Sequence, residues 1–150
     1  MFKQVLFCTD FSESSHWAFT YALNLAKKYA GTLLIVHVTP QSVDIYRPTE
    51  QIEDVVRNYH KKVVDEEVKK NYLTKMQGFK KYKLLLKDGI VYDEIIKTAK
   101  EESADVIVMG AHGRTGLDHL LMGSTAEKVV RKSPIPVLTV RLPEDKLARP

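Results

Sequence analysis

The chain has 150 residues, 44% of them hydrophobic and 28% charged, which fits one globular domain with a single continuous core system. Its net charge of +4 is too mild to mark a dedicated polyanion binder. The single cysteine, Cys8, excludes an intrachain disulfide framework and is expected as a buried thiol in a reducing compartment.

The N-terminal residues Met1-Phe2-Lys3-Gln4 carry no signal-peptide pattern. No apolar run approaches the roughly 20 residues that span a bilayer, so a cytoplasmic protein without membrane association is expected. Gln4–Thr9 is a continuous apolar run and reads as a buried strand. Ser14–Ala30 repeats apolar residues at helical spacing, with Trp17 and Cys8 expected in the core and Gly31 placed to stop the helix. Thr32–Val38 is a second buried strand, and Thr39–Pro48 a loop marked by two prolines. Thr49 is expected to cap a long, charged helix running to about Met76, with Glu50 and Glu53 in its first turn. Ile52, Val55, Val56, Tyr59, Val63 and Val64 are expected to form its core face, and part of it to overhang the domain. Tyr82–Leu86 is a third strand, Val91–Glu102 a helix, and Asp105–Met109 a fourth strand. Ser124–Arg131 is a last helix and Ile135–Val140 a fifth strand, whose prolines place it at an edge. Leu142–Pro150 is expected as a polar tail. The lysines from Lys61 to Lys83 are more simply a solvated helix face and loop than a nucleic-acid footprint, so no nucleic-acid partner is expected.

Alternating strands and helices call for a parallel sheet with helices on both faces. Ligands in such sheets bind beyond the carboxyl ends of the strands, where the strand order reverses. The loops after strands one and four, Thr9-Asp10-Phe11-Ser12 and Gly110-Ala111-His112-Gly113, are expected to meet there. Nine residues after Gly113 come Gly123-Ser124-Thr125 at a helix start. Glycines that let backbone approach a ligand, followed by free N–H groups and the positive end of a helix dipole, favour phosphate. The spacing is neither GxGxxG nor GxxxxGK[ST].

The G-x2-G-x9-G-[S/T] pattern, with Val5–Ser14, Val36-His37-Val38, Met109–Gly116 and Met122–Val140, resembles the universal stress proteins of the ATP-binding type. The resemblance implies a Rossmann-like, doubly wound α/β domain over residues 1–141, with five parallel strands in the order 3-2-1-4-5. It further implies that Thr9 and Asp10 face the adenosine portion and that the Val38 backbone meets the adenine edge. Met109 and Gly110 would line the ribose. Gly113, Gly123, Ser124 and Thr125, with His112 and Arg114 alongside, would hold the phosphates. ATP with Mg2+ or Mn2+ is the implied ligand, and a homodimer through the edge strand Val137–Val140 the implied assembly, with an unidentified regulatory protein partner.

Other readings of single residues stay open at this stage. Asp10 also suits a cap on the first helix or an Asx turn with Ser12. Ser124-Thr125-Ala126-Glu127 fits a capping box in which Ser124 Oγ accepts from the Glu127 N–H. His112 is expected as a solvated loop residue rather than a catalytic one, and His37 as a hydrogen-bonded core histidine. His16, His60 and His119 show no metal-ligand spacing with Cys8. Nothing in the motif supplies a Walker lysine or an evident base, so at most slow ATP hydrolysis is expected. A loop over Gly113–Met122 that orders on the phosphates would make the protein a nucleotide-dependent regulatory module. The competing reading is a nucleotide-independent, chaperone-like interaction factor acting through the long helix.

Overall fold

The structure is a computed structural model that describes residues 1–41, 49–112 and 122–147. Its strands are β1 (Gln4–Cys8), β2 (Thr32–Pro40), β3 (Tyr82–Gly89), β4 (Val106–Gly110) and β5 (Val137–Val140). They form one parallel sheet in the order β3-β2-β1-β4-β5. The helices are α1 (Glu13–Lys28), α2 (Glu50–Asn71), α3 (Val91–Glu101), α4 (Ser124–Lys132) and α5 (Glu144–Leu147), with a 3-10 turn at Leu73–Lys75.

Residue alternation along β1 divides the core in two. Val5 and Phe7 face α1 and the C-terminal part of α2, where they meet Ala18, Phe19, Val64, Val68 and Tyr72. Leu6 and Cys8 face the other way, toward Ile95 and Ala99 of α3 and Ala126 and Val129 of α4. Burial on both faces explains why the central strands read as unbroken apolar runs. It also pushes the Cys8 thiol well above its ordinary value, so the buried sulfur stays protonated.

Several local expectations change. Gly31 does not supply the turn that ends α1: Ala30 takes the left-handed conformation, at φ 50°. A side chain at Gly31 would instead lie 2.7 Å from the Lys3 and Phe2 carbonyl oxygens, so its glycine is required for close approach. Thr49 is the N-cap of α2 but makes no side-chain capping bond. Trp17 is only partly buried, and Lys146 Nζ of α5, within the expected tail, lies 4.5 Å over its ring. The expected core face of α2 is the largest correction. Only Val64 and Val68 of that helix are buried, while Ile52, Val55, Val56, Tyr59 and Val63 stand 38% to 71% exposed. The buried side chains of the helix lie in its C-terminal half, while His60 near its middle reaches Thr39 and His37 of β2.

Candidate functional site

Crossovers leave β1 toward β2 on one side and β4 toward β5 on the other, so the sheet opens between β1 and β4. Beyond their carboxyl ends lies a cavity of about 410 Å³, within the usual size range of small-molecule sites. Thr9, Asp10, Val38, Met109, Gly110, His112, Gly123, Ser124 and Thr125 all line it. Gly113 and Arg114, with most of the loop expected to order on phosphates, lie outside the described residues.

Asp10 is held in one orientation by its neighbours. Its Oδ1 accepts from the Ser12 N–H at 2.9 Å, the Asx turn read from sequence, and from Ser15 Oγ at 2.7 Å. Ser12, not Asp10, caps α1, accepting from the Ser15 N–H at 3.2 Å. Burial alone would raise the Asp10 carboxyl, but the bonds from Ser12 and Ser15 outweigh it and hold it below the ordinary 3.8. The carboxylate is therefore ionised at neutral pH.

Thr9, beside it, is anchored through both its side chain and its backbone. Its Oγ1 accepts from the Phe11 N–H at 3.0 Å and hydrogen-bonds the Tyr72 hydroxyl, while its carbonyl pairs with His37 Nδ1 at 2.8 Å. Tyr72 is fully buried, pairs with His16 Nδ1 at 3.0 Å, and packs against Phe7 and Phe19. Burial pushes its phenol far above the ordinary range. Burial, with Lys75 nearby, also lowers His16, against the opposing pull of Asp10, Glu67 and Glu13. Phe11 adopts φ 61° between these anchored residues; a left-handed phenylalanine is a strained conformation of the kind that clusters at ligand sites.

At the opposite wall, the Gly123 N–H donates to the Ala111 carbonyl at 2.7 Å, and the Ala111 N–H to the Val140 carbonyl at 2.9 Å. These bonds pin the start of α4 beside the end of β4. Gly123 is the N-cap of α4, and the Glu127 N–H bonds the Gly123 carbonyl at 2.9 Å. The capping box expected at Ser124 is therefore not formed: Ser124 is already the first helical residue. The N–H groups of Ser124, Thr125 and Ala126 precede that first intrahelical bond and lie at the cavity wall, where a helix start favours anions.

His112 is buried rather than solvated, its N–H donating to Ser14 Oγ at 3.4 Å. Gly110 is also tied to α1: a Cβ there would lie 2.8 Å from the Ser14 carbonyl carbon and 2.9 Å from its Cβ. Gly110→Ala is accordingly expected to destabilise the fold by about 1–3 kcal/mol through overpacking. A melting temperature lower by the same amount with and without ligand checks this.

Sequence reading missed several lining residues. Pro40, Val91 and Ile95 close the end near Val38, and Ser15 stands over Asp10. The Ser12–Ser15 cluster after Asp10 was a readable signal for the last of these. Among the described residues, no three His, Cys, Asp or Glu side chains converge as metal ligands, and no helix is long and apolar enough to cross a membrane.

The sequence profile of the universal stress protein family matches residues 1–141. The chain belongs to that family. The universal stress protein MJ0531 of Methanocaldococcus jannaschii is 32% identical over 145 residues, 96% of this chain and 85% of its own. MJ0577 of the same organism is 34% identical over 155 residues, covering 94% and 96%. The solved structure of MJ0577 matches this universal stress protein with a TM-score of 0.77 at 31% identity, over 96% of this chain and 99% of that one. A universal stress protein solved in complex with cAMP gives 0.63 at 23% identity, over 93% and 97%. At that identity the likeness is one of fold.

Proposed function

We propose that this universal stress protein binds an adenine nucleotide, with ATP as the principal ligand, in the cavity between β1 and β4. The observation that carries the reading is the cavity's polarity. Val38, Pro40, Val91 and Ile95 bound one end, and the first N–H groups of α4 stand at the other. Between them Asp10 is an oriented, ionised acceptor. A planar base suits the apolar end, with the Val38 backbone meeting its edge. Ribose hydroxyls suit Asp10, and Met109 and Gly110 would flank the sugar. Phosphates suit Gly123, Ser124 and Thr125, with His112, Gly113 and Arg114 the remaining residues of the motif. A divalent Mg2+ or Mn2+ would be held chiefly by the nucleotide's own phosphate oxygens. Nucleotide-dependent melting tests the reading: ATP at 100 times its Kd should add about 2.7 kcal/mol of stability.

In this reading the protein is a nucleotide-dependent module of the stress response rather than a dedicated hydrolase. Rapid phosphoryl transfer needs a group that positions water and a group that stabilises transferring charge. Among the described lining residues Asp10 is the ionised carboxylate, and it sits at the end of strand one, across from the start of α4. ATP turnover is expected to stay below about 1 s⁻¹, the low end for enzymes; a steady-state phosphate-release assay measures it.

Homodimerisation through β5 belongs to the same proposal. The strand is a sheet edge with Leu138 exposed on it, and an open edge is a template for pairing. Leu138→Glu is expected to yield a monomer by light scattering, with nucleotide affinity unchanged. The exposed apolar stripe of α2 favours a second reading, an interaction factor whose contacts do not depend on nucleotide. A protein that ATP fails to stabilise would support it.

A further inference from the structure

A relay of hydrogen bonds runs from the side of α1 to the loop that carries Asp10. His16 Nδ1 pairs with the Tyr72 hydroxyl at 3.0 Å, and that hydroxyl pairs with Thr9 Oγ1. Thr9 Oγ1 in turn accepts from the Phe11 N–H at 3.0 Å. This last bond fixes the turn in which Phe11 holds φ 61° and Asp10 is oriented. Tyr72 is fully buried and Thr9 nearly so, whereas His16 is partly exposed. The histidine end of the relay can exchange a proton with water, and the threonine end is shielded from it.

A count of protons along the relay gives the consequence of that exchange. A neutral His16 offers a lone pair at Nδ1, and the phenol, kept protonated by burial, donates to it. Thr9 then donates to the Tyr72 oxygen while its own oxygen accepts from Phe11. Every hydroxyl proton has an acceptor. A charged His16 carries a proton on Nδ1 and donates to Tyr72 instead. Tyr72 must turn its proton onto Thr9 Oγ1, and the Thr9 proton loses the acceptor it had. An unmatched buried donor is costly. Rotation of Thr9 to satisfy it releases the Phe11 N–H.

We infer that His16 is a positioning residue for the nucleotide site: a proton taken up at its Nδ1 reverses the relay, loosens the turn that carries Asp10 and weakens nucleotide binding. The loss of affinity rests on the nucleotide reading of the cavity, whereas the coupling of His16 to the loop is independent of it. Charges around His16 set where it titrates. Burial lowers it from the ordinary 6.5, and so does Lys75 of the 3-10 turn. Asp10 of the loop, Glu67 of α2 and Glu13 of α1 pull the other way, and the lowering prevails. Affinity is therefore full above 6.5 and fades as pH falls through the folded value of His16. Asp10 titrates below 3.8, so the window between those two values separates the histidine from the carboxylate. By reciprocity, bound nucleotide should lower His16 further.

ATP titrations across that window, with NMR of the nucleotide-free chain alongside, test this. Wild-type affinity is expected to fall about two- to tenfold on protonation, the worth of one hydrogen bond, beyond any slope seen in His16→Asn. That variant keeps an acceptor at the Nδ1 position and takes up no proton, so titration of the phosphates cancels in the comparison. His16→Leu leaves Tyr72 only Thr9 to donate to, and should bind weakly at every pH. Without nucleotide, the Phe11 amide shift should follow the titration of His16, and Tyr72→Phe should uncouple the two. A purely structural histidine would change melting temperatures and produce neither pH-linked signal. Equal pH slopes in wild type and His16→Asn overturn the inference, and so does a Phe11 amide that ignores His16. Failure to bind ATP at any pH, with Phe11 still following His16, would instead overturn the nucleotide reading and leave the coupling standing.

Discussion

Tyr72→Ala is expected to cost about 3–5 kcal/mol of stability, the usual range for emptying a fully buried aromatic site. At this chain length that corresponds to a melting temperature lower by roughly 10–15 °C. The side chain fills the space between β1, α1 and the end of α2, where Phe7, Phe11 and Phe19 pack around it. Its hydroxyl joins Thr9 Oγ1 to His16 Nδ1. Tyr72→Phe separates the two contributions. It keeps the packing and leaves buried polar partners unmatched, at about 1–3 kcal/mol. Because Thr9 lines the cavity, Tyr72→Phe should also weaken nucleotide binding, whereas a purely structural tyrosine would leave affinity unchanged. Thermal melts and nucleotide titrations on the two variants check both halves.

Asp10→Asn is expected to weaken nucleotide binding by about 10- to 100-fold, the loss of charge-assisted hydrogen bonds. The amide retains an oxygen that can accept from the Ser12 N–H, so the turn survives, and the melting temperature without ligand should fall only by the share that the lowered carboxyl contributes. Asp10 should leave wild-type affinity unchanged from neutral pH down to the ordinary carboxyl value, because the folded group titrates below 3.8. Affinity should then decline as protonation removes the acceptor. The sign for stability is the same. A carboxyl lowered on folding contributes fully above its unfolded value and loses that contribution as pH falls through its folded value. The lowered His16 acts in the same direction at higher pH: its contribution is present above 6.5 and fades as pH falls through its folded value. In Asp10→Asn this acid-side contribution to the decline should vanish.

The sheet was legible from sequence because its signals are local. β1, β2 and β4 are buried on both faces and so read as unbroken apolar runs, and the prolines before Val137 correctly placed β5 at an edge. The α2 error came from treating two apolar stripes on one helix as a single face; periodicity reports that a stripe exists, not what it touches. The Ser124 capping box failed for a different reason. Which residue caps a helix depends on where the chain enters it, and the bond from Gly123 to Ala111 brings it in one residue early. At the site, the glycine spacing and Asp10 could be read because they lie in two short loops. Tyr72 could not, being 63 positions from the threonine it holds. Gly110 was read as a ligand-facing glycine, yet its tightest constraint is Ser14 of α1, side chain and backbone together.

The central claim is that the cavity between β1 and β4 holds an adenine nucleotide. Equilibrium dialysis of the nucleotide-free chain against labelled ATP tests it most directly, with Asp10→Asn dialysed in parallel. One nucleotide bound per chain, saturating at micromolar ATP and displaced by unlabelled ATP, is the expected result, with the variant shifted to much higher concentration. No saturable binding by the wild-type chain at millimolar ATP would contradict it.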